Sequence, residues 1–223
     1  MHPFIAHAVF LPPMSRPPSP KFAYQHVFEP GTDASAPPLL LLHGTGGSEH
    51  DLLRLGRAIS PGSALLSPRG DVSEGGALRF FARLAEGVFD PAEVVGRTHA
   101  LADFIVAATA HYQLDARRLT AVGFSNGANI AATLLLLRPE TLGAAVLLRA
   151  MVVLDQSAAA GSLTGKRLLI LSGAHDPIVP LDQPPRLASL LRTGGAEVTV
   201  QSLPASHALT PQDVAAAQAW LKE

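Results

Sequence analysis

Gly123-Phe124-Ser125-Asn126-Gly127 is the stretch that decides the fold class of this chain. It has the spacing Gly-x-Ser-x-Gly, it follows an apolar run at residues 119–122, and it precedes a helix-like run at residues 128–137. Small residues on both sides of a serine let a sharp turn form between strand and helix, with the hydroxyl held away from the backbone. The helix that follows favours negative charge near its N-terminus. The stretch predicts a nucleophilic Ser125; the alternative is a chance match in a chain with 19 glycines.

Short apolar runs alternate with longer helix-like segments along the rest of the chain. Strands are predicted at residues 22–28, 39–42, 64–66, 119–122, 144–148, 168–171 and 197–203, and helices at residues 51–59, 91–112, 128–137, 184–192 and 211–222. Asp90 followed by Pro91 is typical of a capped helix start. This order predicts an α/β fold with a mostly parallel central sheet and helices on both faces. In such sheets, functional residues gather at the carboxyl ends of the strands.

The composition narrows the function classes. We expect a proline-rich arm at residues 1–20, with Met14 as an alternative start, and a single domain at residues 21–223. A net charge of −1 gives no electrostatic reason for binding nucleic acid or an anionic membrane. No apolar run is long enough to span a bilayer and no secretory signal is evident, so a cytoplasmic protein is expected. The absence of cysteine excludes disulfides and a thiol nucleophile.

A nucleophilic serine requires a base, and the base requires an acid that orients it. The expected order along the chain is serine, acid, histidine. Asp176 follows the strand predicted at residues 168–171, although a turn aspartate is the alternative and Asp155 is a rival. His207 lies between the last strand and the last helix, and it is the only one of the nine histidines that follows Asp176. We therefore predict Asp176 as the acid and His207 as the base, with an exposed loop histidine as the alternative.

A glycine-rich loop, His-Gly-Thr-Gly-Gly at residues 43–47, follows the strand predicted at residues 39–42. Backbone N–H groups of such a loop can bind an oxyanion. We expect the N–H groups of Thr45 and Asn126 to form this oxyanion hole. The alternatives are a simple turn and a phosphate loop, but the Lys and Ser or Thr that a phosphate loop needs are missing. No second ligand stands at metal-binding spacing from His43, so no metal is expected.

Taken together, these motifs resemble the phospholipase/carboxylesterase branch of the α/β-hydrolase superfamily. The resemblance runs from about residue 22 to the C-terminus, and it includes Ser-Pro-Arg-Gly at residues 67–70 and Arg-Phe-Phe-Ala-Arg-Leu at residues 79–84. It implies an α/β-hydrolase fold and a catalytic triad of Ser125, Asp176 and His207, and it allows a homodimer. Since the chain has no spare segment large enough for a helical cap, no large cap domain is expected. Ser206 departs from the glycine that the family often has before this histidine.

From these features we expect a serine carboxylesterase for short-to-medium acyl or aryl esters, without a cofactor. A thioesterase or lysophospholipase with the same triad is the alternative among hydrolases, and a non-catalytic ligand-binding protein is the alternative from another class. An open cleft is expected between residues 67–89 and residues 151–153, with Gly44, Gly46, Phe80, Phe81, Phe89 and Met151 as substrate-binding residues. Core packing is the alternative for the phenylalanines. For Arg69 and Arg79, anion binding and structural ion pairs both remain open.

Overall fold

The computed structural model describes residues 22–223, so the arm predicted at residues 1–20 lies outside the described part of the chain. In chain order, the strands of that part are β1 (His26–Glu29), β2 (Leu39–Leu42), β3 (Leu65–Pro68), β4 (Val72–Glu74), β5 (Ala77–Arg79), β6 (Thr120–Phe124), β7 (Ala144–Leu148), β8 (Arg167–Gly173) and β9 (Glu197–Leu203). Its α-helices are α1 (Leu53–Ile59), α2 (Pro91–Tyr112), α3 (Asn126–Leu137), α4 (Gln183–Thr193) and α5 (Pro211–Lys222).

Seven of the strands form one sheet in the order β1-β3-β2-β6-β7-β8-β9. β1 is antiparallel to β3, and the other neighbouring pairs are parallel. The chain runs outward from β2 to β3 and then returns past β2 to β6, so the direction of the strand order reverses between β2 and β6. Ligands of open α/β sheets bind at the carboxyl ends of strands beside such a reversal. In this chain those two ends carry the glycine-rich loop and Ser125.

The strands direct alternate side chains into two hydrophobic cores, one on each face of the sheet. In β2, Leu40 and Leu42 belong to the core that also contains residues of α2, α3 and α4, whereas Leu39 and Leu41 belong to the core with α1 and α5. All four leucines are fully buried. Burial on both faces explains why the parallel strands have continuous apolar sequences. The prediction of a mostly parallel sheet with helices on both faces is confirmed.

The first strand is shorter than the prediction for residues 22–28 and covers only His26–Glu29. Phe22 and Tyr24 instead turn their rings onto α2, where their centroids lie 5.9 and 5.3 Å from that of Phe104. The β-like composition at Phe22 and Tyr24 therefore reflects aromatic packing on a helix, and strand pairing begins at His26.

The hairpin of β4 and β5 is an element that the sequence patterns above do not predict. Its two-residue turn is Gly75-Gly76, with φ angles of 58° and 89°. Two successive residues at positive φ are typical of the tight turns that join antiparallel strands, and Gly-Gly is a signal for them. The hairpin forms a separate two-stranded sheet.

Candidate active site

Ser125 lies on the turn between β6 and α3. Its φ of 52° and ψ of −115° form a strained conformation that residues other than glycine rarely adopt. The flanking glycines are required by space. A Cβ on Gly123 would lie 2.5 Å from the carbonyl oxygen of Gly127, and a Cβ on Gly127 would lie 2.0 Å from that of Leu42. The Gly-x-Ser-x-Gly spacing therefore allows the turn to close against the end of β2.

His207 links Ser125 to Asp176 in one chain of hydrogen bonds. The Ser125 hydroxyl donates to Nε2 of His207 at 3.0 Å, and Nδ1–H of His207 donates to Oδ2 of Asp176 at 2.8 Å. The Asp176 side chain is 1% exposed, while that of His207 is 18% exposed. In this geometry an imidazole can accept the serine proton while a shielded carboxylate fixes the orientation of the ring. The structure thus brings the three predicted residues together.

The loop after β8 fixes the carboxylate of Asp176. Its second oxygen, Oδ1, accepts hydrogen bonds from the N–H groups of Ile178 at 2.8 Å and Val179 at 3.1 Å. The rival acid Asp155 is exposed and forms an ion pair with Arg186 at 2.7 Å. Asp155 is therefore engaged elsewhere, and Asp176 is the carboxylate that contacts His207.

Arg149, the residue directly after β7, holds the loop that carries His207. Its Nε donates to the carbonyl oxygen of Ser206 at 2.9 Å, and its Nη2 donates to that of Ala208 at 3.1 Å. The guanidinium therefore binds the backbone on both sides of His207. Arg149 itself adopts a φ of 57°, which places it in the left-handed region.

Asp213 neutralises Arg149 through a bidentate ion pair with distances of 2.7 and 2.9 Å. Both side chains are fully buried. The carboxylate also accepts hydrogen bonds from the N–H and the hydroxyl of Thr210, which complete a capping box at the start of α5. Burial alone would raise the pKa of Asp213, but the hydrogen bonds from Arg149 and Thr210 hold that pKa below its usual value. One carboxylate thus anchors both a helix and the His207 loop.

The two predicted oxyanion donors border the same cleft as Ser125. Asn126 is the first residue of α3, and the first N–H groups of a helix have no partner within it. Within residues 22–223, neither the Thr45 N–H nor the Asn126 N–H donates a hydrogen bond. Their side chains are fixed, because the Thr45 hydroxyl oxygen accepts from Nη1 of Arg79 at 2.6 Å and Oδ1 of Asn126 accepts from the Phe80 N–H at 2.7 Å. Both backbone donors are available to a negatively charged oxygen.

His43 is buried beneath the glycine-rich loop and is only 1% exposed. Its Nδ1–H donates to the carbonyl oxygen of Gly44 at 2.7 Å, and its Nε2 accepts from the N–H of Gly70 at 2.9 Å. This pairing uses the neutral ring, and burial lowers the pKa of His43 below 6.5. His43 therefore ties the glycine-rich loop to the Ser-Pro-Arg-Gly segment. Among residues 22–223, no group of three or more His, Asp or Glu residues is placed to hold a metal ion.

Ser125 and His207 line a cleft with a volume of about 230 Å³. The segment at residues 67–89 contributes Phe89 to one side, and Met151 contributes to the cleft from beyond β7. The N–H of Met151 donates to Oδ1 of Asn129 at 2.9 Å, which holds this residue against α3. The expectation that residues 67–89 and 151–153 border the cleft agrees with this geometry for the first segment and for Met151, whereas Val152 and Val153 do not line the cleft.

The expectation of a substrate contact is wrong for Phe80 and Phe81. Both side chains are 0% exposed and pack in the core that contains residues of α2 and α3. The alternative of core packing holds for these two residues, whereas Phe89 is half-buried and lines the cleft.

The predicted substrate-binding glycines lie beside the cleft and do not line it. Gly46 has a φ of 80° and donates its N–H to the carbonyl oxygen of Leu78 at 2.9 Å, which joins the loop to β5. Gly44 packs so closely on Phe124 that a Cβ would lie 2.8 Å from the ring, and it borders a neighbouring depression that also includes Thr45. Both glycines shape the loop, and neither is among the residues that line the cleft.

Arg69 and Arg79 have different environments. Arg69 forms a two-pronged ion pair with the buried carboxylate of Glu49, with 2.7 Å between Nη2 and Oε1. Of the two alternatives for Arg69, anion binding and a structural ion pair, the second therefore holds. Arg79 lines the cleft and has no bidentate carboxylate partner within residues 22–223.

The family model for Phospholipase/Carboxylesterase matches residues 90–223, which is more than half of the chain. The chain belongs to the phospholipase/carboxylesterase family. One of its relatives is MhqD of Bacillus subtilis (strain 168), which is named provisionally as a hydrolase. The two sequences are 43% identical over 199 residues, which are 89% of this chain and 98% of MhqD.

Solved structures of phospholipase/carboxylesterase relatives agree with the fold. The Bacillus cereus carboxylesterase is 42% identical, with a TM-score of 0.86 over 90% of this chain and 94% of its own. The carboxylesterase from Mesorhizobium loti is 35% identical, with a TM-score of 0.79 over 83% of this chain and 88% of its own. The predicted α/β-hydrolase fold is confirmed, and the chain is a hydrolase-family protein of the carboxylesterase type. Among residues 22–223, no helix is both long enough and apolar enough to cross a membrane.

Arg149 and Asp213 are site residues that the sequence reasoning missed. Each had a local signal. Arg149 is a charged residue directly after a buried apolar strand, and Asp213 lies three residues after Thr210, as in a capping box. Nothing local indicates that the two side chains meet, because the ion pair joins the end of β7 to the start of α5.

Proposed function

We propose that the protein is a serine carboxylesterase that hydrolyses short-to-medium acyl or aryl esters through an acyl-enzyme. The observation that carries the proposal is the hydrogen-bonded chain of Ser125, His207 and Asp176, with distances of 3.0 and 2.8 Å, at the cleft. The available N–H groups of Thr45 and Asn126 beside it support the same chemistry.

In the first half of the proposed reaction, Oγ of Ser125 attacks the ester carbonyl carbon as Nε2 of His207 accepts the serine proton. Asp176 stabilises the imidazolium, and the N–H groups of Thr45 and Asn126 stabilise the oxyanion. The carbon–oxygen bond to the alcohol then breaks, and the imidazolium returns its proton to the leaving alcohol. In the second half, water replaces Ser125 by the same route with His207 as base, and the carboxylic acid is released.

The size and lining of the cleft support small substrates. A volume of about 230 Å³ lies below the range of about 300–1,000 Å³ that is typical of pockets for drug-sized ligands. Phe89, Met151 and Ile178 supply apolar surface around Ser125. A short acyl or aryl group fits this lining better than a long chain does. We therefore expect the rate over a series of p-nitrophenyl esters to be highest at short or medium acyl lengths. A steep optimum at long chains would contradict this part of the proposal.

Substitution of Ser125→Ala tests the mechanism. We expect turnover of p-nitrophenyl esters to fall by at least about 10⁴-fold and labelling by a fluorophosphonate probe to disappear, with unchanged unfolding behaviour. Ser189→Ala is the matched control, because Ser189 is an exposed residue of α4 away from the cleft. Substantial activity in Ser125→Ala would refute the assignment. Absence of a covalent adduct in the wild type would favour a non-catalytic binding protein, and faster turnover of a thioester than of the matched oxoester would favour a thioesterase.

A further inference from the structure

Arg79 is a nearly buried arginine at the edge of the cleft, with 4% of its side chain exposed. Two of its three guanidinium nitrogens are held by the protein. Nη1 donates to the Thr45 hydroxyl oxygen at 2.6 Å, and Nε donates to the carbonyl oxygen of Phe81 at 3.0 Å. The third nitrogen, Nη2, has no hydrogen-bond partner within residues 22–223. A guanidinium fixed at two points thus keeps an unused pair of N–H donors beside the cleft.

Arg79 lies in a cluster of two arginines and two glutamates, in which no carboxylate binds it with both oxygens and Glu86 also borders the cleft. Its carboxylate neighbour is Glu74, whose Oε2 lies 3.3 Å from Nε, and Glu74 also accepts from Nε of Arg83 at 2.7 Å. Arg83 forms a second ion pair with Glu86, whose side chain is 61% exposed. Burial lowers the pKa of Arg79, while the attraction of Glu74 opposes this change. Arg69, by contrast, has a carboxylate that meets it with both oxygens.

Thr45 connects this arginine to the proposed chemistry. Its backbone N–H is one of the two proposed oxyanion donors, and its hydroxyl oxygen holds Nη1 of Arg79. Arg79, Thr45 and Ser125 therefore border the same small cavity of about 230 Å³. An acidic group on a small ester bound in this cavity would lie near Arg79.

We propose that the cleft is a subsite for esters that carry a carboxylate, and that Nη2 of Arg79 binds that carboxylate. The inference rests on the proposed esterase function and names its substrate class. A carboxylate on Arg79 makes charge-assisted hydrogen bonds, which are about twice as strong as neutral ones. The acid group can belong to the acyl part, as in a half-ester of a short dicarboxylic acid, or to the alcohol part, as in an ester of a carboxyphenol.

The test compares matched pairs of esters. For the acyl side, monoethyl glutarate is compared with ethyl pentanoate, in which a methyl group replaces the carboxylate. For the alcohol side, 4-acetoxybenzoate is compared with 4-acetoxybenzamide. We expect kcat/KM of the wild type to be about tenfold or more higher for the acidic member of at least one pair, which corresponds to one charged hydrogen bond. Arg79→Gln should abolish that preference. Arg97→Gln, which changes the same charge on α2 away from the cleft, should keep it.

The outcomes separate this proposal from the proposed function. The carboxylate subsite would be overturned by equal kcat/KM values for both members of both pairs in the wild type. A preference that persists in Arg79→Gln would overturn it as well. In either case, turnover of the neutral esters would leave the esterase assignment intact. Failure of all four esters together with no fluorophosphonate labelling would reject the function itself. If Arg79→Gln does not fold, the wild type decides alone. Glutarate should then inhibit competitively at least about tenfold more strongly than glutaramide, and equal inhibition by the two overturns the proposal.

Discussion

The guanidinium of Arg149 and the carboxylate of Asp213 form a bidentate ion pair of 2.7 and 2.9 Å in which neither side chain is exposed to solvent. The pair joins the end of β7 to the first turn of α5, and the loop between β9 and α5 that carries His207 passes over it. A group on which activity is proposed to depend is therefore held by an ion pair that also joins two elements of the fold.

Loss of one partner of this ion pair should destabilise the fold. Arg149→Met leaves the carboxylate of Asp213 buried without its guanidinium, and removal of one member of a buried pair lowers the free energy of unfolding by about 3–5 kcal/mol. Urea denaturation at neutral pH measures this change. Arg186→Met removes an arginine from the exposed pair with Asp155 and should change the free energy by no more than about 1 kcal/mol. Equal effects of the two variants would show that the buried pair does not stabilise the protein.

Arg149→Lys separates positioning from stability. A lysine keeps the positive charge, but one ammonium cannot bind both oxygens of Asp213 and the carbonyl oxygens of Ser206 and Ala208. At a temperature where the variant is fully folded, we expect kcat to fall by about 10- to 100-fold with little change in KM, because small displacements of a catalytic group have effects of this size. The rate of fluorophosphonate labelling should fall in parallel. A normal labelling rate in a variant with a lowered Tm would restrict Arg149 to a structural role.

Two glycine substitutions test the packing of the serine turn. Gly127→Ala places a Cβ 2.0 Å from the carbonyl oxygen of Leu42, so the turn must shift. We expect losses of both stability and esterase activity. Gly96→Ala, in the middle of α2, has no atom within 4 Å of the new Cβ and should stabilise the protein by about 0.5–1 kcal/mol. Thermal unfolding and p-nitrophenyl acetate turnover of both variants provide the comparison. Retention of wild-type activity by Gly127→Ala would show that the turn tolerates a side chain.

His43 should make stability depend on pH. Its folded-state pKa lies below 6.5 because of burial, so the native state resists the proton that the unfolded state accepts. Above pH 6.5 the contribution is fully present, and it is lost as the pH falls from 6.5 through the folded-state pKa. Urea denaturation between pH 8 and pH 5 should show this decline. His43→Asn removes the titrating group. The slope of the free energy of unfolding against pH should then decrease by up to about 1.4 kcal/mol per pH unit. Identical slopes for variant and wild type would exclude His43 as the source.

The burial of Phe81 and the position of Phe89 predict different consequences for the same substitution. Phe81→Leu removes volume from a fully buried site and should lower the free energy of unfolding by about 1–3 kcal/mol, without altering the order of rates across p-nitrophenyl acyl lengths. Phe89→Leu enlarges the cleft and should change that order, with a smaller effect on stability. An altered acyl preference in Phe81→Leu alone would indicate that Phe81 shapes the cleft indirectly.

The sequence predicted most of the sheet because parallel strands buried on both faces have continuous apolar runs, as β2 shows with four leucines. It also predicted the partners of Ser125, since residues at the carboxyl ends of parallel strands meet at one edge. Local patterns failed where tertiary contacts decide the outcome. Phe22 and Tyr24 look like part of a strand and pack instead on α2, and Phe80 and Phe81 look like a cleft wall and lie in the core.

The role of Arg149 could not be predicted from the sequence for a different reason. Its partners Asp213, Ser206 and Ala208 lie more than 50 residues further along the chain, and the contacts are made partly to backbone oxygens, which no side-chain pattern specifies. The hairpin of β4 and β5, in contrast, had a readable Gly-Gly turn signal.

That hairpin pairs only with itself and shares no strand ladder with the central sheet. Its last residue, Arg79, and the segment that follows it supply much of one cleft wall, while Ser125, Asp176 and His207 all extend from the central sheet. The wall is therefore joined to the rest of the fold without strand pairing, through the buried Phe80 and Phe81 and through contacts with the glycine-rich loop. Exchanging only the exposed and half-buried residues of positions 82–89 for those of another family member should change the substrate range and leave the hydrogen bonds of Ser125, Asp176 and His207 intact.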